Sequence, residues 1–212
     1  MALSKIDVAN MLTGEVPNAN VATIGVAKGG TGLTSGTSGQ FLKFTGSTTV
    51  ASAAVDAGIS MAQTWRLTSS FTGDATPITS NLEADDTYSQ GAIGSAMTQS
   101  SGVFTFPSTG IYLIQAQGEF YYGGDSRYNQ LIIEVTTDNS SYNEAAKSTG
   151  GIAQAESSTT HTNSSSFYIF DVTNVSTHKV RFTSSVSDNS VSVYGDTNRN
   201  FTCMTFIRLG DT

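Results

Sequence analysis

The sequence predicts an all-β protein: a β-sandwich head preceded by an extended N-terminal segment rich in Gly, Ser and Thr. Three observations carry this reading. From Met61 onward, short runs alternate apolar and polar residues, and turn-forming segments separate those runs. No window longer than about ten residues keeps the spacing of an amphipathic helix.

Residues 1–60 are set apart by composition. They hold one aromatic pair, Phe41 and Phe44, and scattered apolar residues such as Val21, Ile24 and Val26 among Gly, Ala, Ser and Thr. So little apolar area, at about 25 cal/mol per Å², does not offset the cost of ordering the backbone, about 1–2 kcal/mol per residue. The segment is therefore expected to be extended, and either flexible or ordered by packing on a partner. Within it, SKIDVANML places Ile6, Val8 and Leu12 loosely on one side of a two-turn helix, too short to be stable alone.

The head, residues 61–212, continues as a series of strand-like runs: MAQTWRLTSSF, GVFTFP, GIYLIQAQGEFYY, NQLIIEVTT, SSFYIFDV, HKVRFTSS, SVSVYG and FTCMTFIRLG. Between them lie FPSTG, YGGDSRYN, TTDNSSYN, KSTGG, DVTNVST, SVSDNS and YGDTNRN, whose Gly, Asn, Asp and Ser suit turns. Many short strands with such punctuation indicate a sandwich or barrel rather than βαβ units. In GIYLIQAQGEF, alternation puts Tyr112, Ile114 and Ala116 on one face and Ile111, Leu113, Gln115 and Gln117 on the other. The first set is a core pattern. The second mixes aliphatic and amide side chains, which suits a partly polar subunit interface better than a plain solvent face.

Composition narrows the function. Charged residues make up 13% of the chain, against roughly 25% in ordinary soluble domains. The net charge is −7, and the ten Lys and Arg are scattered with no two adjacent. Nucleic-acid binding, which needs clustered basic residues, is not expected. No stretch approaches the roughly 18 apolar residues of a membrane span, and MALSKIDVANMLTGEVPNANVA lacks the apolar centre of a signal peptide. A soluble protein made in a cytoplasm is the expectation, with no membrane insertion.

Catalytic and metal patterns are thin. The stretch GVAKGGTGLTSGTSGQ has glycines, but Lys28 precedes them and no Gly-Lys-Ser/Thr ending follows, so it is not a phosphate cradle. One Cys and two His, His161 and His178, do not make a zinc pattern. Cys203 reads as a small buried residue of the closing strand. Asp85-Asp86, Asp138-Asn139 and Asp188-Asn189 carry oxygens suited to calcium, but Asp and Asn in loops more often bond their own backbone. No catalytic residue, cofactor or metal is expected, and the chain is not read as an enzyme. The exposed candidate is EFYYGGDSRYN, where Tyr121, Tyr122, Asp125, Arg127 and Tyr128 form a potential contact surface of the kind Tyr and Arg favour. Strand ends decorated with tyrosine are the alternative.

The stretch GSAMTQSSGVFTFPSTGIYLIQAQGEF resembles the signature of trimeric jelly rolls in the tumour necrosis factor and complement globular-head superfamily. The residues that carry it are Gly102, Phe104-Thr105-Phe106-Pro107, Gly110 and Tyr112, with FTCMTFIRL similar to the family's closing strand. Cys203 and Met204 depart from the family's usual residues beside that phenylalanine. The resemblance covers about residues 65–212. It implies a two-sheet jelly roll and a homotrimer in which Leu113, Gln115 and Gln117 face the threefold axis.

A second resemblance covers the N-terminal part. Gly14-Glu15-Val16-Pro17, Gly29-Gly30-Thr31-Gly32 and Gly39-Gln40-Phe41-Leu42 resemble, in order and spacing, linker modules of tail fibres and other appendages of bacterial viruses. Together the two imply a virion structural protein, a trimeric fibre or spike. Residues 1–60 would attach to other virion proteins as an anchor or stalk, and the head would contact a host-surface glycan or protein. A capsid decoration or cement protein is the alternative, and a secreted complement-head-like module a more distant one.

Overall fold

The computed structural model describes residues 36–47, 49–54 and 58–212. The expected two-turn helix and the Gly14–Pro17 and Gly29–Gly32 motifs lie outside these residues. The chain divides into two units, Met1–Ala57 and Gly58–Thr212.

In the first unit, β1 (Phe41–Gly46) and β2 (Thr49–Ala53) form an antiparallel hairpin in which Phe41 faces Ala53 and Phe44 faces Val50. Gly39, at φ +82°, turns the chain into β1, so Gly39-Gln40-Phe41-Leu42 is a turn that feeds a strand. Phe41, Leu42 and Phe44 are exposed. Low apolar content hid this hairpin from sequence reasoning.

The second unit is built from two antiparallel sheets. Its strands in chain order are β3 (Met61–Leu67), β4 (Phe71–Thr72), β5 (Leu82–Ala84), β6 (Thr98–Ser100), β7 (Val103–Thr105), β8 (Gly110–Tyr122) and β9 (Ser126–Thr136). Beyond them come β10 (Asn143–Lys147), β11 (Gly150–Ile152), β12 (Thr160–Val172), β13 (Lys179–Val186), β14 (Ser192–Val193) and β15 (Cys203–Gly210). One sheet orders β10-β9-β13-β7-β6, with β11 also on β9. The other orders β4-β14-β8-β15-β3-β5, with β12 on the second edge of β8. Every long strand-like run of the sequence is a strand. The short β5, β6, β10 and β11 were not legible, because three to five residues of mixed polarity carry no measurable alternation.

The core lies between the sheets. Tyr112, Ile114, Ala116 and Phe120 of β8, Met204 and Phe206 of β15, and Leu131 and Ile133 of β9 are fully buried. At its centre the Phe104 ring meets Trp65 and Phe182 edge-on, at 5.4 and 5.5 Å, and lies 5.3 Å from Phe206. The Tyr112 hydroxyl donates to the Ser108 carbonyl (3.0 Å), which ties the loop before β8 to the strand. Two glycines of the jelly-roll signature have steric reasons. Gly102 sits at φ +79° with the Ile78 carbonyl oxygen 2.1 Å from where a Cβ would stand, and Gly110 at φ +144° has the Gly210 oxygen at 2.6 Å.

Cys203 departs from its expected place. In β15 it is Met204 and Phe206 that reach the core, and Cys203 is half-buried on the opposite side of the sheet. Burial, and then the Asp85 carboxylate, push its thiol up to about 11.

The acidic pairs have separate uses. Asp85 and Asp86 converge with Glu83 on Arg66, whose guanidinium lies 2.8 Å from Glu83 and from Asp85 and 3.4 Å from Asp86. Arg66 is 1% exposed and Asp85 4%. Asp138 accepts from the backbone N–H groups of Ser140 and Ser141, each at 2.8 Å, and from the Thr136 hydroxyl. Asp188 accepts from Ser190 N–H (2.8 Å) and the Tyr122 hydroxyl (3.2 Å). These last two are the turn chemistry expected of Asp-Asn loops.

Three measurements test this packing. Phe104→Ala should cost about 3–5 kcal/mol in chemical denaturation, because the vacated volume is walled by three other rings. Arg66→Met should cost a similar ~3–5 kcal/mol, since it leaves Asp85 buried without its cation. Asp138 should titrate far below the ordinary aspartate value of about 3.9, because backbone N–H donors and the Thr136 hydroxyl favour its charged form. Its contribution to folding is then complete above the unfolded value and is lost only as pH falls through the depressed folded value. An NMR titration that finds an ordinary midpoint would contradict the turn geometry.

Candidate functional site

The candidate functional surface is the face of the β8 sheet that points away from the core. In antiparallel pairing, directly opposed residues share a face, so the register reads out its chemistry row by row. Ile169, Leu113 and Ile207 form one row across β12, β8 and β15. Phe167, Gln115 and Thr205 form the next, and Ser165, Gln117 and Cys203 the third. Phe167 is 70% exposed and Ile169 56%, while Leu113 and Ile207 are partly exposed. A large aromatic and a β-branched residue held open on a rigid strand make a patch suited to covering by another surface.

On its β3 side the same face is closed by the chain itself. Ala62, Thr64 and Arg66 point outward by register, yet Thr64 and Arg66 are buried. The covering segment runs from β5 to Ile93: Asp85 N–H donates to the Thr64 carbonyl (2.9 Å), Ala62 and Ile93 exchange backbone bonds, and the acidic trio holds Arg66. The open part is thereby confined to β8, β12 and β15.

Toward the end of β8 the face changes character. Glu119 and Tyr121 come from β8, His161 from β12, and Tyr194 from the residue after β14, whose N–H donates to the Glu119 carbonyl (2.8 Å). Glu119 Oε1 lies 2.9 Å from His161 Nδ1. The imidazole stacks on Tyr121 with centroids 5.5 Å apart and planes at 28°. Tyr194 meets Tyr121 edge-on (5.3 Å, 73°) and is backed by Phe201 in a parallel stack at 4.2 Å. Tyr121, Thr159, His161 and Tyr194 line an open depression of about 280 Å³.

The residues singled out from sequence fall at different places on this frame. Leu113, Gln115 and Gln117 all lie on the outward face, with the Gln117 amide donating to the Phe201 carbonyl (3.4 Å). The five residues of EFYYGGDSRYN do not form one surface. Tyr121 faces outward into the depression, whereas Tyr122 turns to the other side of β8 and bonds Asp188. Asp125 caps the Gln154 N–H (2.8 Å), and Arg127 and Tyr128 belong to β9 in the other sheet. The cause is topological: Gly123–Asp125 carries the chain from one sheet to the other, so neighbours in sequence part company. Glu119, Thr159, His161 and Tyr194 were missed because they are brought together from distant stretches. The one hint was the aromatic end of SVSVYG.

No protein-family model matches the chain, and no curated protein matches it. Solved structures do. Murine APRIL, crystallised at pH 5.0, superposes with a TM-score of 0.50 at 9% identity, covering 70% of this chain and 98% of that one. The Eiger TNF of S. frugiperda gives 0.53 at 13% identity, covering 74% and 96%. At such identities the likeness speaks to architecture, and with the two-sheet topology it establishes that the second unit has the jelly-roll fold of tumour necrosis factor domains.

Proposed function

We propose that the protein is a homotrimeric structural component of a bacterial virus particle, a fibre or spike without enzymatic activity. Residues 1–60 attach it to other virion proteins, and the jelly-roll head is displayed for contact with the host surface. The observation that carries the trimer is the open face of β8, β12 and β15, where Phe167, Ile169, Leu113 and Ile207 sit beside Gln115 and Gln117. Water-exposed apolar side chains in an ordered sheet gain about 25 cal/mol per Å² when covered. Threefold packing of this face, as the sequence resemblance implies, would bury on the order of 2,000 Å² or more in total. The amides of Gln115 and Gln117 would then find polar partners near the axis. The virion setting draws its support from the order and spacing of the glycine motifs in the N-terminal sequence.

Light scattering coupled to size exclusion should give three chain masses for the full-length protein, and Phe167→Asp together with Ile207→Asp should reduce it to one. A wild-type monomer would overturn the trimer. For the virion setting, particles carrying this protein should show it by cryo-EM in copies that are multiples of three. Density on the capsid lattice instead of the tail would make it a decoration protein, and absence from particles would defeat the assignment.

A further inference from the structure

We propose that the depression lined by Tyr121, Thr159, His161 and Tyr194 is a binding site for a single neutral sugar ring. The inference rests on the reading of the head as a displayed, surface-contacting part, and gives that role a ligand class and a place. A pyranose has an apolar face of C–H groups and a rim of hydroxyls, so it needs an aromatic plane beside hydrogen-bonding groups of both kinds. Tyr121 and Tyr194 meet at 73° and form a corner of two aromatic walls. The Tyr194 wall is held from behind by Phe201 (4.2 Å, 7°), so it is rigid before any ligand arrives.

The polar groups are placed to match. Glu119 engages Nδ1 of His161 at 2.9 Å, which leaves Nε2 as the ring nitrogen that can hydrogen-bond a ligand hydroxyl. The tyrosine hydroxyls of the two walls and the hydroxyl of exposed Thr159 supply further donors and acceptors. At about 280 Å³ the depression lies just under the ~300 Å³ lower end of small-molecule pockets, which suits one ring and not an extended chain.

Other ligand classes fit less well. None of the lining residues is Lys or Arg, and Glu119 stands beside them, which disfavours phosphate and other anions. A single imidazole and a single carboxylate, already bonded to each other, do not make a metal site. A quaternary ammonium would favour an aromatic corner with a free carboxylate, but Glu119 is engaged by His161. Tyr121 lies four strand residues beyond Gln117, about 13 Å at roughly 3.3 Å per residue. The depression is thus at the polar end of the face, away from the apolar rows. A shallow site of this kind binds weakly alone, and three copies on one particle would gain by avidity.

Saturation-transfer NMR on the full-length protein, with methyl glycosides of glucose, galactose, mannose, rhamnose and N-acetylglucosamine as probes and choline as the competing chemistry, tests the proposal. At least one glycoside should show transfer centred on its ring C–H protons at millimolar concentration. Tyr121→Leu should weaken that binding at least tenfold, and Tyr194→Phe, which keeps the wall, should retain most of it. Thr159→Trp fills the depression from an exposed position, so its loss of binding cannot be ascribed to misfolding. No transfer to any glycoside, transfer unaffected by Thr159→Trp, or stronger transfer to choline would each overturn the proposal. Light scattering on the same sample separates the two readings: a monomer that binds sugar defeats only the trimer, and a trimer that binds none defeats only the sugar site.

Discussion

Strand β8 is hydrogen-bonded along both edges, to β12 from Gly110 to Tyr122 and to β15 from Ile111 to Gln117, and that two-sided pairing is the constraint on which the head depends. A slip of one residue on either side would turn Tyr112, Ile114, Ala116 and Phe120 to water and bury Gln115, Gln117 and Glu119 in their place. The register is therefore held by the apolar area of one face and the desolvation cost of the other. Once it is held, the outward rows are determined too, because opposed residues share a face. Core and outward face are two consequences of one pleat.

The outward face does not stay uniform along or across the strands. Across them, β3 is buried on both sides, and the covering chain supplies the carboxylates that pair with its buried Arg66. A guanidinium at 1% exposure without Glu83, Asp85 and Asp86 would cost several kcal/mol. That clamp sets the limit of the open face. Along the strands, the aliphatic and aromatic rows around Leu113 and Phe167 give way to the Glu119–His161 pair and its tyrosines. One end is apolar and exposed, and the other is aromatic and polar.

Sequence reasoning reached the long strands because thirteen-residue runs such as β8 carry enough alternation to betray their faces. It placed Tyr112, Ile114 and Ala116 inside and Leu113, Gln115 and Gln117 outside, and both hold in the fold. It misplaced Cys203, because FTCMTFIRL is apolar on both parities, and only pairing with Arg66 and Gln117 shows which parity faces out. It also grouped Tyr121 with Tyr122, Asp125, Arg127 and Tyr128. The chain crosses between the sheets within that stretch and separates them.

Local patterns were enough to establish an all-β sandwich, its principal strands, the inward face of its central strand and the absence of basic clusters, since each depends on residues near one another in the chain. Gly102 and Gly110 likewise announced backbone positions that a side chain would obstruct. The acidic trio around Arg66 and the meeting of Glu119, Tyr121, His161 and Tyr194 depended on folding. Their members are up to some seventy-five residues apart, and no periodicity spans such distances; sheet order and register alone bring them within a few ångströms.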